Sequence, residues 1–467
     1  MGRGGSTASE AEAGGGSGVE ADFSLAPFLL KGVVRAVRLL CAKVEAMRSV
    51  EEGAYKFGGG TTRGGTGTGM DDGGIGGGGG GDVVASSVSV GTSAEAWAPT
   101  AEQEHNLQLL ELVVKLREAL LGLPAIITPQ ETGAAEAAAH QAERATFETQ
   151  CREQISEAVK ALDETASKAI LEPYLSGVAR ALEEIISNMH RESFGPQLDA
   201  GDDPLDSMGS GGSMFLVELQ ASLAALQADH FGRISALRAP CALEPLRSLA
   251  ARLLRSYVTH CALIRPLSEA GKARVAQDMA MLEIALSPLA RVSELGAVYQ
   301  ESRAFRTLLF VDDEDGGGRD SRSFLTEACM AHLRPSCVWH YLFSRAPDEL
   351  SSPHASRGVS EHAYVTWLLG GGAAAEGKAK EEIDGIDTKE PRRGGPAGGG
   401  TSYSERSMLS PDTSYLAEVG AWAVVQGCLE SYRQRHSAIG GGQLPRAATL
   451  LPEAGPALLS AYEARGQ

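Results

Sequence analysis

Two cysteines and two histidines in the segment ACMAHLRPSCVWH have the residue types and the spacing of metal ligands. Cys329, His332, Cys337 and His340 form a C-x2-H-x4-C-x2-H pattern, and zinc prefers thiolate sulfur and imidazole nitrogen as ligands. Only four residues separate the two halves, far fewer than in zinc fingers. The neighbours are apolar, and helical spacing turns Cys329 and His332 toward a core. We therefore predict buried helical residues here and no metal site.

Charged residues cluster in a second segment, HCALIRPLSEAGKARVAQDMAMLEIAL. Arg265, Glu269 and Lys272 could clamp an anion at the start of a helix, but the segment has no glycine-rich phosphate loop. Pro266 disfavours helical geometry at the residue before it and donates no backbone hydrogen bond. The pattern therefore predicts a corner between two helices, in which Gly271 permits the turn and Lys272 opens the second helix.

Other segments match the sequence pattern of a functional site but lack the neighbouring elements or ligand spacing that such a site requires. Gly58–Gly81 contains GxGxxG matches through glycine density alone, and no strand precedes it, as a dinucleotide-binding loop requires. The acidic run Asp312–Gly318 lacks the ligand spacing of a calcium loop. No serine lies in a nucleophile elbow. We therefore predict no catalytic, cofactor-binding or metal-binding residues, and no enzymatic activity.

The start of the chain carries one weak signal for lipid attachment. The first six residues, MGRGGS, fit the minimal pattern for myristoylation of Gly2. The pattern is loose, so myristoylation of Gly2 stays an open question, and one acyl chain gives only marginal membrane binding. Met1–Gly18 has no apolar core of a secretory signal, and no apolar run reaches the roughly 18 residues of a membrane span.

The composition excludes several classes of partner and favours helices. The net charge is −18 with no long Lys/Arg run to offset it, which argues against nucleic acid and against polybasic attachment to anionic lipid. Aromatic residues make up 5% of the chain, which favours helices over sheets because aromatic residues are enriched in strands. The seven cysteines are mostly far apart and odd in number, which indicates reduced thiols on the cytosolic side.

Apolar residues recur at intervals of three and four along much of the chain, the pattern of amphipathic helices. No run alternates apolar and polar residues as a strand would, and no stripe extends beyond about three heptads, too short for one long coiled coil. The predicted fold class is therefore all-α, an elongated array of antiparallel helical bundles. The stripes are Leu30, Val33, Val37, Leu40, Val44 and Met47; Leu109, Leu112, Leu116 and Leu120; Ile155, Val159, Leu162, Ala166 and Ala169; Leu175, Val178, Leu182, Ile185 and Met189; Leu216, Leu219, Leu223, Leu226 and His230; Leu246, Leu249, Leu253, Tyr257 and Ile264; and Val275, Met279, Leu282, Leu286 and Leu289.

Segments rich in Gly, Ser, Pro and acidic residues interrupt these helices. They carry too little apolar surface to offset the entropy of ordering them, so we predict disordered insertions in a helical frame. The predicted order is a disordered N-terminus (1–22), a helical segment (23–57), a Gly-rich insertion (58–100), a helical bundle domain (101–310, with a loop at 194–213), an acidic loop (311–323), a helical segment (324–369), a second insertion (370–404) and a C-terminal helical segment (405–467).

Several blocks resemble one family, that of the fifth subunit of the conserved oligomeric Golgi complex, over its C-terminal half. The clearest are HCALIRPLSEAGKARVAQDMAMLEIALSPL, then VSELGAVYQESRAFRTLLF, and YLFSRAPDELSSPH with Trp367 beyond it. EEIISNMHRESFG, MFLVELQASLAALQADHF and LLKGVVRAVRLLCAKVE fit the same collinear order. The blocks cover most helical residues from about Leu29 to Trp367, and the region beyond Thr401 resembles the family more weakly.

The resemblance implies a helical-rod subunit of a tethering complex that lies peripherally on the cytosolic face of the Golgi and captures retrograde vesicles. It implies other subunits of that complex as partners, and beyond them other vesicle-trafficking proteins. The family has no catalytic residues to carry over. Gly-rich insertions split the blocks, and the family's N-terminal half has no counterpart here, so we expect complex assembly to depend on residues upstream of Met1 in a longer product.

Two alternatives stay open on the sequence alone. One is a helical scaffold subunit of another vesicle-tethering complex. The other is an enzyme with a site in the helical core, which would show a deep pocket with converging polar groups, whereas a tether would show shallow grooves between helices.

Overall fold

The computed structural model describes residues 26–48, 97–127, 137–195, 213–310, 331–344, 350–370, 411–438 and 446–466. Every regular element within these ranges is a helix, which confirms the predicted all-α class. No helix in the described part of the chain is long and apolar enough to cross a membrane.

The helices are numbered here in chain order. They are α1 (Ala26–Arg48), α2 (Ala101–Ile127), α3 (Ala137–Glu164), α4 (Glu172–Ser187), α5 (Met214–Leu226), α6 (Gly232–Ala236), α7 (Pro240–Leu263), α8 (Glu269–Leu286), α9 (Gly296–Leu309), α10 (Pro335–Ser344), α11 (Pro353–Ser356), α12 (Glu361–Leu369), α13 (Pro411–Ala438) and α14 (Arg446–Gly466). π-Helical turns at Thr165–Leu171 and Gln227–Phe231 join α3 to α4 and α5 to α6, and 3-10 turns occupy Asn188–Arg191 and Val292–Leu295.

The chain divides into two compact units, residues 1–50 with 108–170, and residues 51–107 with 171–467. In the first unit α1 packs along α3, and Arg38 contacts Glu157 across the two helices at 2.6 Å. Both of these side chains are more than half exposed. An exposed ion pair contributes only about 0–1 kcal/mol, so the buried apolar stripes hold this unit together.

The buried stripe of α1 differs from the predicted one at two positions. Val34 and Cys41 are buried, whereas the predicted Val33 and Leu40 are half-buried. Val33 and Val34 are neighbours in the sequence, as are Leu40 and Cys41, so a spacing of three and four residues fits either member of each pair. The side chain of Met47 lies outside the described residues. The predicted positions that are buried are Leu30, Val37 and Val44.

The predicted stripe of α2 is wrong except at its end. Leu120 is buried, but Leu112 is 52% exposed, and Leu109 and Leu116 are half-buried. Apolar residues occupy so many neighbouring positions of this helix that the spacing fits several choices of buried side. The helices that pack against it determine which side is buried. The positions buried instead are Leu107, Leu110, Val113 and Val114.

The remaining predicted stripes are confirmed, because all of their residues are buried. They are Ile155, Val159, Leu162, Ala166 and Ala169; Leu175, Val178, Leu182, Ile185 and Met189; Leu216, Leu219, Leu223, Leu226 and His230; Leu246, Leu249, Leu253, Tyr257 and Ile264; and Val275, Met279, Leu282, Leu286 and Leu289.

Helix α7 lies at the centre of the second unit, where it packs against α4, α9, α10 and α12. It is buried continuously from Leu253 to Leu263 except at Arg255. A helix buried on all sides is surrounded by other elements, so the polar side chains at its C-terminal end, including His260, lie inside the unit.

The predicted segment boundaries stay predictions, since most of the inserted segments lie outside the described residues.

Candidate functional site

The corner between α7 and α8 comprises residues 264–268, and its geometry corrects the sequence interpretation. Helix α8 begins at Glu269, with the Ser268 side chain as its N-cap accepting a hydrogen bond from the Gly271 backbone nitrogen at 3.0 Å. The prediction that Lys272 opens the helix is therefore wrong by three positions. Ser268 satisfies one of the backbone N–H groups that the first turn of a helix leaves free.

Gly271 has a different role from the predicted one, because it lies inside the first turn of α8 and not in the turn before it. A Cβ atom at this position would lie 2.2 Å from the carbonyl oxygen of Phe194 and 3.0 Å from its carbonyl carbon. That oxygen accepts hydrogen bonds from the nitrogen and the hydroxyl of Ser268, at 2.9 and 3.0 Å. Glycine is therefore required because another part of the backbone approaches closely.

The three charged residues of the corner contact different partners. Arg265 donates from Nη1 to the carbonyl oxygen of Leu350 at 2.6 Å. Lys272 is 2% exposed and pairs with Glu269 Oε1 at 2.5 Å. A shared anion clamp would require both cations to point at one site, and these contacts instead tie the corner to the loop at Leu350 and to the first turn of α8.

A cavity of about 410 Å³ opens beside the corner. Three of the sequence blocks that carry the family resemblance meet there, since EEIISNMHRESFG, HCALIRPLSEAGK and YLFSRAPDELSSPH each supply part of its wall. It is the strongest candidate for a chemical site in the described part of the chain. Its lining residues are His190, Leu263, Arg265, Pro266, Ser351, Ser352, His354, Ala355 and Glu361.

A serine, a histidine and a glutamate in this cavity have the residue types of a hydrolytic triad. Ser352 Oγ lies 3.3 Å from His354 Nε2, and Glu361 Oε1 lies 3.2 Å from the same nitrogen. A triad needs the hydroxyl on one imidazole nitrogen and the carboxylate on the other. Nδ1 of His354 has no hydrogen-bond partner among the described residues. One nitrogen cannot donate to the carboxylate and accept the serine proton at once, so the arrangement is not a triad.

A row of imidazoles runs from the cavity into the unit. His190 Nε2 lies 2.9 Å from His260 Nδ1, and the ring of His260 stacks on that of His362 with centroids 6.2 Å apart. Burial lowers the pKa of His190 to about 4, and it lowers that of His260 well below its ordinary value, with a further lowering from His190 and His362. The rings of His190 and His260 are therefore neutral at pH 7, one donating to the other.

The structure describes three of the four residues of the zinc-like pattern, since Cys329 lies outside the described residues. His332 is exposed in the turn before α10, so the prediction of a buried helical residue is wrong there. Cys337 and His340 are buried in α10, as predicted. His340 Nδ1 donates to the carbonyl oxygen of Ser336 at 2.5 Å, which leaves Nε2 to accept from the Tyr364 hydroxyl at 2.9 Å. Burial lowers the pKa of His340 to about 4. No group of three or more His, Cys, Asp or Glu side chains within the described ranges is placed to hold a metal ion.

Sequence reasoning missed the ion pair between Arg334 and Glu301, which lies next to Cys337. Arg334 donates from Nε to Glu301 at 2.6 Å and from Nη2 to the Thr259 hydroxyl at 2.7 Å. Burial raises the pKa of the Cys337 thiol well above its ordinary range, so the sulfur is protonated and unreactive at pH 7. Arg334 and Glu301 are less than 10% exposed, and losing either partner would leave the other charge buried alone.

A carboxylate from α13 caps the first turn of α10. Glu418 accepts from the backbone nitrogen of Ser336 at 2.6 Å and from its hydroxyl at 2.8 Å. Burial raises the pKa of Glu418, and Arg334 and Ser336 oppose that rise. A negative charge at a helix N-terminus is stabilised by the free N–H groups there. The two residues are 82 positions apart, so no local sequence signal could have revealed the cap.

The described chemistry is therefore that of a packed scaffold. The buried charges of Arg334 and Glu418 contact residues far away in the sequence, and Lys272 pairs within its own helix. In the triad-like set, the serine and the glutamate contact the same histidine nitrogen. Polar side chains meet in the cavity, but its lining residues form no catalytic arrangement.

Comparison with known proteins confirms the resemblance found in the sequence blocks. The chain is similar to conserved oligomeric Golgi complex subunit 5 of Mus musculus, 32% identical over 230 residues, which is 49% of this chain and 26% of that protein. The protein of the same name from Arabidopsis thaliana is 35% identical over 205 residues, or 42% and 23%. That from Drosophila melanogaster is 29% identical over 225 residues, or 46% and 27%.

The similarity is confined to part of each relative. The chain spans about a quarter of the length of the curated relatives it matches. No protein-family model matches it, and no solved structure matches it.

Proposed function

We propose that this chain is a non-catalytic subunit of the conserved oligomeric Golgi complex, acting in intra-Golgi retrograde vesicle tethering and transport. It works through protein contacts with the other subunits and, beyond them, with other vesicle-trafficking proteins. It associates peripherally with the cytosolic face of Golgi membranes. The observation that carries the proposal is the similarity to three curated proteins of that name over nearly half of the chain.

The all-helical structure supports this proposal. The described helices bury their apolar stripes, and polar contacts between residues distant in the sequence join helices within the second unit. The pair Arg252–Glu183 joins α7 to α4 with hydrogen bonds of 2.7 and 2.8 Å, and Glu418 joins α13 to α10. Fully satisfied polar contacts of this kind specify one packing of the helices, which fits a subunit that works by binding other proteins.

The chemistry of the cavity supports a role without catalysis. A nucleophile needs a base that can take its proton, and His354 offers Ser352 only the nitrogen that already contacts Glu361. The Cys337 thiol is buried and held protonated. Neither side chain is activated, which fits a subunit that binds partners without transforming them.

Affinity capture from the native cell tests the proposal. A tag placed at the C-terminus of the chromosomal gene retrieves the protein in the form that the cell makes, and mass spectrometry identifies what comes with it. We expect the other subunits of the complex in comparable amounts, and a fluorescent tag at the same position should mark Golgi membranes. A strain with the same tag on an unrelated peripheral Golgi protein is the control. Recovery of none of the subunits, together with no Golgi signal, would exclude the proposed function.

A further inference from the structure

Five of the ten histidines of the chain lie on or around helix α12, although that helix is only nine residues long. One is on α12 itself, and the other four come from the 3-10 turn after α4 and from α7, α10 and α11. Histidine is the side chain whose ordinary pKa lies closest to neutral pH, so groups that respond to acid are concentrated at one place in the second unit. We call these residues the histidine cluster: His190, His260, His340, His354 and His362.

Three rings of the cluster form a row between the end of α4, the end of α7 and α12. His190 Nε2 lies 2.9 Å from His260 Nδ1, and the ring of His260 stacks on that of His362. Nε2 of His260 and Nδ1 of His362 are buried and have no hydrogen-bond partner within the described ranges. A protonated imidazole has two N–H donors and needs an acceptor for each, so this row can hold its rings neutral but has no place for added charge.

The two remaining histidines contact α12 from α10 and α11. His340 Nε2 accepts a hydrogen bond from the Tyr364 hydroxyl of α12 at 2.9 Å. Protonation of His340 removes the lone pair that accepts this bond. His354 Nε2 lies 3.2 Å from Glu361 Oε1, a contact that joins α11 to the first residue of α12 and becomes an ion pair when His354 is protonated. Acid therefore weakens the contact of α12 with α10 and keeps α11 and α12 together.

Burial keeps the rings neutral in the folded protein. It lowers the pKa of His190 and of His340 to about 4, and it lowers that of His260 well below the ordinary value. Burial also lowers the pKa of His354, against the opposing effect of Glu361. Rings that become accessible to water return toward the ordinary value of about 6.5, so a state in which α12 has moved away binds more protons than the closed state.

Few negative charges near the cluster are available to offset added protons. The carboxylate of Glu361 already contacts His354, and that of Glu418 on α13 already caps α10. Three cations are also close: Arg265 lines the same cavity as His190, Arg334 lowers the pKa of His340, and Arg357 lies over the ring of Trp367. The other buried charges of α4, α7 and α9 pair with one another, Glu183 with Arg252 and Glu301 with Arg255 and Arg334. The cluster therefore repels added positive charge.

We propose that the histidine cluster makes the docking of α12 acid-sensitive: neutral rings hold α12 against α7 and the end of α4, and their protonation separates it from both while the other helices of the second unit stay folded. The change is local because the buried stripes of α4, α7 and α8 contain no histidine. This inference does not depend on the proposed function.

The number of buried rings sets the steepness of the response. Each ring that is neutral when α12 is docked and regains its ordinary pKa when α12 is released makes release about tenfold more favourable per pH unit below about 6.5. His190, His260 and His340 titrate together, so the equilibrium constant for release should rise by up to about a thousandfold per pH unit. Release is then complete well above pH 4, where the single rings would be protonated in place.

Hydrogen–deuterium exchange of the full chain, followed by mass spectrometry and corrected for the intrinsic exchange rate at each pH, measures the opening of each helix. Between pH 6.5 and 5.5 the opening constant of residues 361–369 should rise about a hundredfold or more. That of α8 (Glu269–Leu286), which contains no histidine, should change by less than about tenfold. A rise for α12 no larger than that for α8, or one common rise in all helices, would show that acid does not release α12.

Phenylalanine substitutions test whether the cluster causes the response, since they keep a ring that cannot take up a proton. The double variant His190→Phe, His260→Phe should reduce the rise in the opening constant of α12 by about a hundredfold per pH unit. If the double variant does not fold, His190→Phe alone should reduce it by about tenfold. His105→Gln and His332→Gln are the controls, because both residues are exposed, and they should leave the response unchanged. A folded cluster variant that keeps the full response would overturn the inference.

Discussion

Replacing Gly271 with alanine should destabilise the second unit, although alanine is ordinarily the better helix former. The new Cβ would lie 2.2 Å from the Phe194 carbonyl oxygen, and ordinary contacts of a Cβ begin near 3.4 Å. The obstacle is backbone and cannot rotate away. The carbonyl must therefore retreat from Ser268, whose nitrogen and hydroxyl hold it at 2.9 and 3.0 Å.

The size of the effect follows from three contributions. A forced backbone shift costs about 1–3 kcal/mol, and weakening two hydrogen bonds costs about 1 kcal/mol each. The helix propensity of alanine returns about 1 kcal/mol. The net loss in the free energy of unfolding is about 2–4 kcal/mol, which corresponds to a fall in melting temperature of roughly 4–16 °C.

Thermal and urea unfolding followed by circular dichroism measure this loss, with Gly122→Ala and Gly427→Ala as matched controls. Both control glycines lie in helices, at positions where an added Cβ meets nothing within 4 Å. They should gain about 0.5–1 kcal/mol from helix propensity. A Gly271→Ala variant as stable as these controls would refute the account of the corner as a close backbone contact.

Four further predictions concern the cap, pH, the glycine block and zinc. Glu418→Ala should lower the free energy of unfolding by about 2–3 kcal/mol in urea titrations, since it leaves the first turn of α10 uncapped; Glu418→Gln, which keeps an acceptor, should lower it by less, and equal losses would contradict the cap. His190 and His340 have pKa values of about 4 in the folded protein, below the ordinary value of 6.5. As the pH falls, these two rings are therefore protonated in the unfolded chain before they are protonated in the folded one. Stability is therefore complete above about pH 6.5 and falls between about pH 6.5 and 4, by on the order of 3 kcal/mol for the fully buried His340; a flat urea midpoint over that range would show that the two rings are not held neutral. Deleting Gly58–Gly81 should leave the melting temperature nearly unchanged, since extra loop length costs little closure entropy, and a large drop would show that the block packs. Elemental analysis of the purified chain should find no stoichiometric zinc, and zinc that is released by Cys337→Ser would overturn that prediction.

The buried side of a helix could be predicted from the sequence where charged residues mark the opposite side. In α4 the charged residues Glu172, Arg180 and Glu184 are exposed, and the predicted stripe lies on the buried side. In α2, by contrast, Leu109, Leu110, Leu112, Val113 and Val114 are nearly contiguous, and the periodicity allows several faces. The face that is buried there depends on which helices pack against it, and a single sequence does not contain that information.

The contacts that shape the corner could not be predicted for a related reason. Pro266 marks the break in the helix by its own backbone chemistry, and this local signal was sufficient to place the corner. The need for glycine at position 271 comes from Phe194, and the cap on α10 comes from Glu418, both distant in the sequence. Local rules therefore located the elements, while the contacts between elements required the structure.

Sedimentation of the endogenously tagged protein through a glycerol gradient tests whether this chain is a subunit of the tethering complex. The chain alone has a mass of 48.8 kDa, and as a subunit of the tethering complex it should migrate at several times that mass, in the same fractions as another subunit. Depleting that second subunit should shift it toward lighter fractions. A peak at the mass of the free chain, unaffected by the depletion and separate from every other subunit, would contradict the assignment.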